Sequence, residues 1–227
     1  MSAGAYNDEW AANYARRANA AIPGREGLYR TCMAFMRGLP SRANILVVGC
    51  GTGDDLVPLA MSLPEASFVG IEPADAMLAL CARRVEAEGL SRRVTLRPVT
   101  LQNFHPEIPF DAATAILVSQ HMRADADAED FFRQLATALG PRGRLFSADI
   151  HIGADQDRGL ALALWREQAL MSGIEADLVA RMANAFTSEL RPRDESVIRA
   201  FLESAGFVGI LKPFSSLIYG AWAAYKN

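Results

Sequence analysis

The chain has 227 residues, 51% of them hydrophobic and 22% charged, which supplies enough apolar material for a sizeable core. A formal net charge of -3, with lysine only at Lys212 and Lys226, argues against a dedicated nucleic-acid binder. Cys32, Cys50 and Cys81 show neither disulfide-framework nor zinc-site spacing, and no stretch of about 18 apolar residues is present to span a membrane.

Strands and helices alternate from Ile45 onward. Ile45–Val48 reads as a short buried strand, and residues 54–62 as a helix stopped near Pro64. Residues 66–72 form a second strand ending in the acid Glu72. Residues 73–90 follow as a helix, with Pro73 at its start and Gly89 at its end. Residues 94–99 and 110–120 give a third and a fourth strand. Residues 127–140 give a helix with Phe131, Leu135, Ala138 and Leu139 on one face, and residues 143–150 a fifth strand. This alternation predicts a parallel sheet covered on both faces.

Two segments break the pattern. The first 43 residues precede the first strand, and Trp10, Tyr14 and Ala18 share a helical face there. Residues 155–190 insert helical sequence after the fifth strand, with Ile174, Leu178, Val179, Met182 and Phe186 at helical spacing. That stripe suits a core, a dimer face or a substrate lid. At the C-terminus, residues 194–207 form an amphipathic helix. Two strands follow, joined around Pro213–Ser216, and so short a connection makes them antiparallel.

The chemistry centres on "ILVVGCGTGDD", residues 45–55. Glycines at the carboxyl end of a parallel strand let the backbone turn beneath a ligand. Dinucleotide folds use G-x-G-x-x-G; here Gly49, Gly51 and Gly53 are followed by Asp54 in place of the third glycine. A carboxylate at that helix start suits the dipole but opposes a pyrophosphate. It tolerates a cofactor that carries an ammonium and a sulfonium. Glu72, some twenty residues on, can accept hydrogen bonds from both hydroxyls of a ribose.

On "VVGCGTGDD", "FVGIEPADAML", "FDAATAILVSQHM", "LGPRGRLFSADI" and the final hairpin, the chain resembles the class I S-adenosylmethionine-dependent methyltransferases. The resemblance implies an α/β, Rossmann-like fold in one domain. Its sheet has seven mostly parallel strands with an antiparallel last strand, helices lie on both faces, and an N-terminal helical lid covers the site. It implies S-adenosylmethionine as cofactor. Gly49, Cys50, Gly51 and Gly53 would line its methionine part. Glu72 would take the ribose hydroxyls, Pro73 and Met77 would border the adenine, Val118 would lie beneath the methyl group, and Tyr14 would close over the cofactor. Many relatives place an acid after the third strand to meet the adenine amine; Thr100, Leu101 and Gln102 stand there instead. Backbone amides near Leu101 would then serve. Within the family, "IPGREGLY", the insertion and "RPRDESVIRAFLESAGF" are similar to the carboxy-S-adenosylmethionine synthase branch. That branch has Tyr at the position of Arg25 and a carboxylate-binding Arg at that of Phe201. Phenylalanine cannot pair with a carboxylate, so the architecture is kept and that reaction becomes the alternative.

The expected activity is methyl transfer to the oxygen, nitrogen or carbon of a small molecule. His121 after the fourth strand and His151 at the end of the fifth are the candidate catalytic residues. Trp165, Met171, Met182 and Phe186 are expected to line the acceptor pocket, and Arg25 and Arg30 to favour an acidic acceptor. A silent cofactor-binding module and an NAD(P)-dependent oxidoreductase are the competing readings; Asp54 and the antiparallel tail argue against the latter. The sequence further leads us to expect a cytoplasmic protein with no metal, no nucleic-acid partner and no membrane partner, and favours a homodimer.

Overall fold

A computed structural model describes residues 17–153, 155–190 and 192–227. Tyr6, Trp10 and Tyr14, the expected lid residues, lie outside them. The chain enters through α1 (Arg25–Met36) and then builds β1 (Asn44–Val48), α2 (Leu56–Ser62), β2 (Ser67–Ile71), α3 (Asp75–Ala87), β3 (Val94–Arg97) and β4 (Phe110–Ile116). It continues through α4 (Asp125–Ala138), β5 (Leu139–Ile150), α5 (Arg158–Met171), α6 (Ala176–Ser188), α7 (Glu195–Ser204), β6 (Phe207–Ser216) and β7 (Tyr219–Lys226).

The seven strands form one sheet in the order β3-β2-β1-β4-β5-β7-β6. β1 through β5 pair in parallel, whereas β7 runs antiparallel to both β5 and β6. The strand order reverses between β1 and β4, so the crevice for a ligand opens at the carboxyl ends of those two strands. The all-apolar run of β1 follows from burial on both faces. Ile45 and Val47 pack with Leu28 and Met36 of α1, Leu56 of α2 and Cys81 of α3. Leu46 and Val48 pack with Phe131, Phe132 and Leu135 of α4 and Phe201 and Leu202 of α7.

The C-terminal hairpin differs from expectation in one respect. Its turn falls at Leu217–Ile218, with Leu217 at φ 48, and Pro213 lies inside β6. Proline fits there because β6 is the edge strand, where an N–H need not be donated. Register shifts between Val208 and Leu211 and between Leu211 and Phe214 absorb the irregularity. Among the described residues, no helix is long and apolar enough to cross a membrane.

The insertion folds as α5 and α6 and closes a third core with residues 18–22. Trp165 and Phe186 stack edge to face at 4.6 Å, and the Trp165 indole donates to the Ala21 carbonyl at 2.9 Å. Of the helical stripe, Ile174, Val179 and Phe186 are buried in this core, and Leu178 and Met182 pack against it partly buried.

Candidate functional site

A cavity of about 400 Å³ opens at the switch point between β1 and β4. Its floor is the turn after β1. Gly49 and Gly51 adopt φ 66 and 51, a region that a side chain rarely enters. Space dictates Gly49 as strongly as backbone does: a Cβ there would come within 2.6 Å of Val118 Cγ2. The turn thus lets the chain after β1 and the chain after β4 touch beneath the cavity.

Glu72, just past β2, is the cavity's central polar group. Its Oε2 accepts the Gly51 N–H at 3.2 Å and its Oε1 accepts the Ala74 N–H at 2.9 Å. One donor per oxygen fixes the carboxylate and leaves each oxygen free to accept again. Burial raises its pKa above the usual value, against the pull of those two N–H groups. The Ala74 contact is the helix-entry role that an acid before Pro73 can play, so Glu72 serves loop and cavity together.

Around Glu72 the structure assembles most of the residues expected from sequence. Gly49, Gly51, Pro73, Met77, Thr100, Leu101, Val118 and His121 all line this cavity. Cys50 and Gly53 do not. The Cys50 side chain is turned into the core, 3.1 Å from where a Gly70 Cβ would stand, and Gly53 packs the turn against α3, where a Cβ would meet Cys81 Sγ at 2.9 Å. They shape the turn from behind. His151 is also outside the cavity. It is buried at the β5 end, edge to face with Trp222 at 5.6 Å. Burial, with Lys212 nearby, lowers its pKa to about 4.

His121 ends a short 3-10 turn, Ser119–His121. Its Nδ1 is buried and has no hydrogen-bond partner among the described residues. Burial holds its pKa down at about 4, so it is neutral near pH 7 and able to accept a hydrogen bond or a proton.

Several expectations are corrected. Asp54 does not start a helix; Asp55 caps α2, accepting the Leu56 N–H at 2.8 Å. The Asp54 carboxylate instead turns away from the cavity to pair with Arg25 and Arg84. Arg25 is spent in that pair and 6% exposed, and Arg30 pairs with Glu26 on the surface, so neither offers a clamp for an acidic acceptor. Trp165, Met182 and Phe186 serve the insertion's own core, Met171 is 88% exposed, and none of the four lines the cavity. Conversely, Asp127, Asp130, Phe131 and Gln134 of α4 line its far end. Their spacing of three and four residues was the available signal.

The cavity is apolar along Ile71, Met77, Val99, Leu101 and Phe131. It carries the carboxylates Glu72, Asp127 and Asp130, and no lysine or arginine among its described lining. Residues 46–145 match the family model described as a methyltransferase domain. The matched stretch runs from β1 into β5 and contains Glu72, Val118 and His121. Over 101 residues the chain is 38% identical to a demethylmenaquinone methyltransferase of Thermus thermophilus, a match covering 44% of each chain. It is 24% identical over 172 residues to a carboxy-S-adenosyl-L-methionine synthase of Campylobacter hominis, covering 75% of this chain and 72% of that one. The match thus spans less than half the length of the Thermus relative. Human N-acetylserotonin methyltransferase, solved in complex with SAM, superposes with a TM-score of 0.62 at 15% identity, over 88% of this chain and 51% of that one. That likeness is one of fold. β7 lies antiparallel between β5 and β6, the arrangement that the resemblance implied.

Proposed function

We propose that the protein transfers the methyl group of S-adenosylmethionine to a small-molecule acceptor and releases S-adenosylhomocysteine. The observation that carries this reading is the Glu72 carboxylate, held by Gly51 and Ala74 in a cavity that has no described cation in its lining. A pyrophosphate would meet three carboxylates there; an ammonium and a sulfonium are favoured by them.

The residues present fit the cofactor. Gly49 and Gly51 would lie against its amino-acid part, Glu72 would accept from its ribose hydroxyls, and Met77, Leu101 and Phe131 would enclose its base. When bound, the cofactor supplies an electrophilic methyl on a positively charged sulfur. Val118 and Leu117 would present an apolar wall to that end of the cavity. His121, which lines the cavity, would orient the acceptor or take its proton, a task needed only where the nucleophile has a high pKa. Alignment does the rest, since a positioned nucleophile reacts as though at very high local concentration.

The alternative, carboxy-S-adenosylmethionine synthesis, needs a cation for the extra carboxylate. Phe201 is in the core, stacked on Phe132 at 6.3 Å, and Arg199 pairs with Glu203 on the surface. A silent binding module is disfavoured because the cavity is open beside His121. A reducing compartment, the cytoplasm, belongs to the proposal and is supported by three free, buried cysteines. So does a homodimer, whose mass sedimentation velocity would give.

The test is to incubate the protein and methyl-labelled S-adenosylmethionine with a low-molecular-mass metabolite extract. Label in a small organic molecule, with matching S-adenosylhomocysteine, is expected. Label that stays on a tightly bound cofactor would contradict transfer.

A further inference from the structure

The chain after β4 carries Val118 and His121 to the cavity, and it begins with a strained residue. Leu117 sits at φ 61, a conformation that is strained for a residue with a side chain. Such strain persists only where the surroundings over-determine it. Two buried side chains do so from outside the cavity.

Asp149, 2% exposed at the end of β5, accepts the Ser119 hydroxyl at 2.7 Å and the Gln120 N–H at 3.1 Å. The Gln120 side-chain oxygen in turn accepts the Ile150 N–H at 3.2 Å. These bonds fix the start of the turn to β5.

Arg193, 5% exposed, reaches the other side of the turn from the chain between α6 and α7. Its Nη2 donates to the carbonyls of Met122 at 2.7 Å and Ala124 at 3.2 Å, its Nη1 to that of Ser119 at 3.4 Å, and its Nε to Asp125 Oδ1 at 3.0 Å. The carbonyl of Arg193 accepts the Ile152 N–H at 3.2 Å, so its own backbone is tied to the residues that follow β5. The Phe201 ring lies under the guanidinium at 5.7 Å. Only a flat fork of five donors can gather three carbonyls and a carboxylate in this way; an ammonium has three donors on one atom.

We infer that Arg193 is a positioning residue: by gathering the carbonyls of Ser119, Met122 and Ala124, it holds His121 in the cavity wall and Val118 over Gly49. The inference rests on the reading of this cavity as the reactive site. It also links the insertion to that site, because Arg193 closes the insertion's return to the sheet. An arginine that served stability alone would leave the state of His121 unchanged once the protein had folded.

The experiment follows the His121 imidazole by heteronuclear NMR titration in the full chain. It compares the wild type, Arg193→Gln and Arg193→Lys, with His121→Gln to assign the signal. Affinity for S-adenosylhomocysteine is measured on the same samples. The wild type should titrate at about 4, and Arg193→Gln should titrate higher by about one unit or more, toward 6.5, as the imidazole becomes solvated. Its affinity should fall about tenfold. Arg193→Lys should not restore either property. An unchanged His121 titration in folded Arg193→Gln would overturn the inference. Should that variant not fold, Asp125→Ala removes an exposed partner of the guanidinium; a smaller shift in the same direction supports the inference, and no shift overturns it. A wild type that does not bind S-adenosylhomocysteine would contradict the methyltransferase reading and leave the His121 titration to decide this one.

Discussion

Arg25 Nη2 lies 2.7 Å from Asp54 Oδ2, and Arg84 bonds the other oxygen, so the carboxylate after the glycine turn is held between two guanidiniums. Burial alone would raise the Asp54 pKa, but Arg25 and Arg84 together hold it below the usual value. The pair with Arg25 is buried on both sides, at 6% and 10% exposure, whereas Arg84 is 41% exposed. Asp54→Ala should therefore cost about 3–5 kcal/mol, because it removes the counter-charge of a buried guanidinium. Arg84→Met should cost less than about 1 kcal/mol. Urea unfolding of both variants checks this, and equal losses would contradict it.

Gly49→Ala tests the floor of the cavity. The new Cβ would meet Val118 Cγ2 at 2.6 Å and would be held at φ 66. The turn must shift, at about 1–2 kcal/mol for the backbone alone. Calorimetry should show affinity for S-adenosylhomocysteine lowered by about tenfold or more. Gly89→Ala provides the control: it has φ 67 but nothing within 4 Å of its Cβ, so it should lose stability and keep affinity.

Trp165→Phe separates core from pocket. It removes the indole bond to the Ala21 carbonyl and should cost about 1–3 kcal/mol. Because Trp165 does not line the cavity, affinity for S-adenosylhomocysteine should be unchanged. A marked loss of affinity would return the insertion to the acceptor pocket.

Histidine burial gives a signed pH dependence. His151 has its pKa lowered from 6.5 to about 4. The unfolded chain therefore binds more protons between those values, and the stability contributed above pH 6.5 is lost as pH falls through 4. Asp149, raised from 3.8 to about 7 by burial, acts oppositely: its contribution is full below 3.8 and is lost as pH rises through 7. His121, lowered to about 4, and Asp55, raised to about 7, add to the net profile in the same two directions, so the readout is a difference. The gap in melting temperature between wild type and His151→Gln should narrow as pH is lowered from 6.5 to 4. A constant gap would mean that His151 is not protonated on unfolding.

The parts of the site that lie close along the chain were legible in the sequence. The run Ile45–Val48, the glycines after it and Glu72 at the next strand end belong to one strand-turn-helix-strand unit, and their spacing alone aligns them. The Asp54 partners were not legible, because Arg25 and Arg84 are 29 and 30 residues away and meet it only through packing. Asp127, Asp130 and Gln134 were not singled out in the sequence, where only the apolar face of this helix was read; they reach the cavity because α4 packs beside the turn at Leu101–Asn103. Pro213 marked a turn in the sequence and proved to be an edge-strand residue, a distinction that depends on which strand ends up outermost.

Glu72 is where fold, cofactor and function converge, and calorimetric titration with S-adenosylhomocysteine, before and after Glu72→Gln, addresses it most directly. Glutamine keeps the size and loses the charge and one acceptor oxygen. Wild-type binding of S-adenosylhomocysteine but not of NAD, weakened by about tenfold or more in Glu72→Gln, is the expected result. Equal affinity in the two proteins, or binding of NAD alone, would contradict the role assigned to this carboxylate.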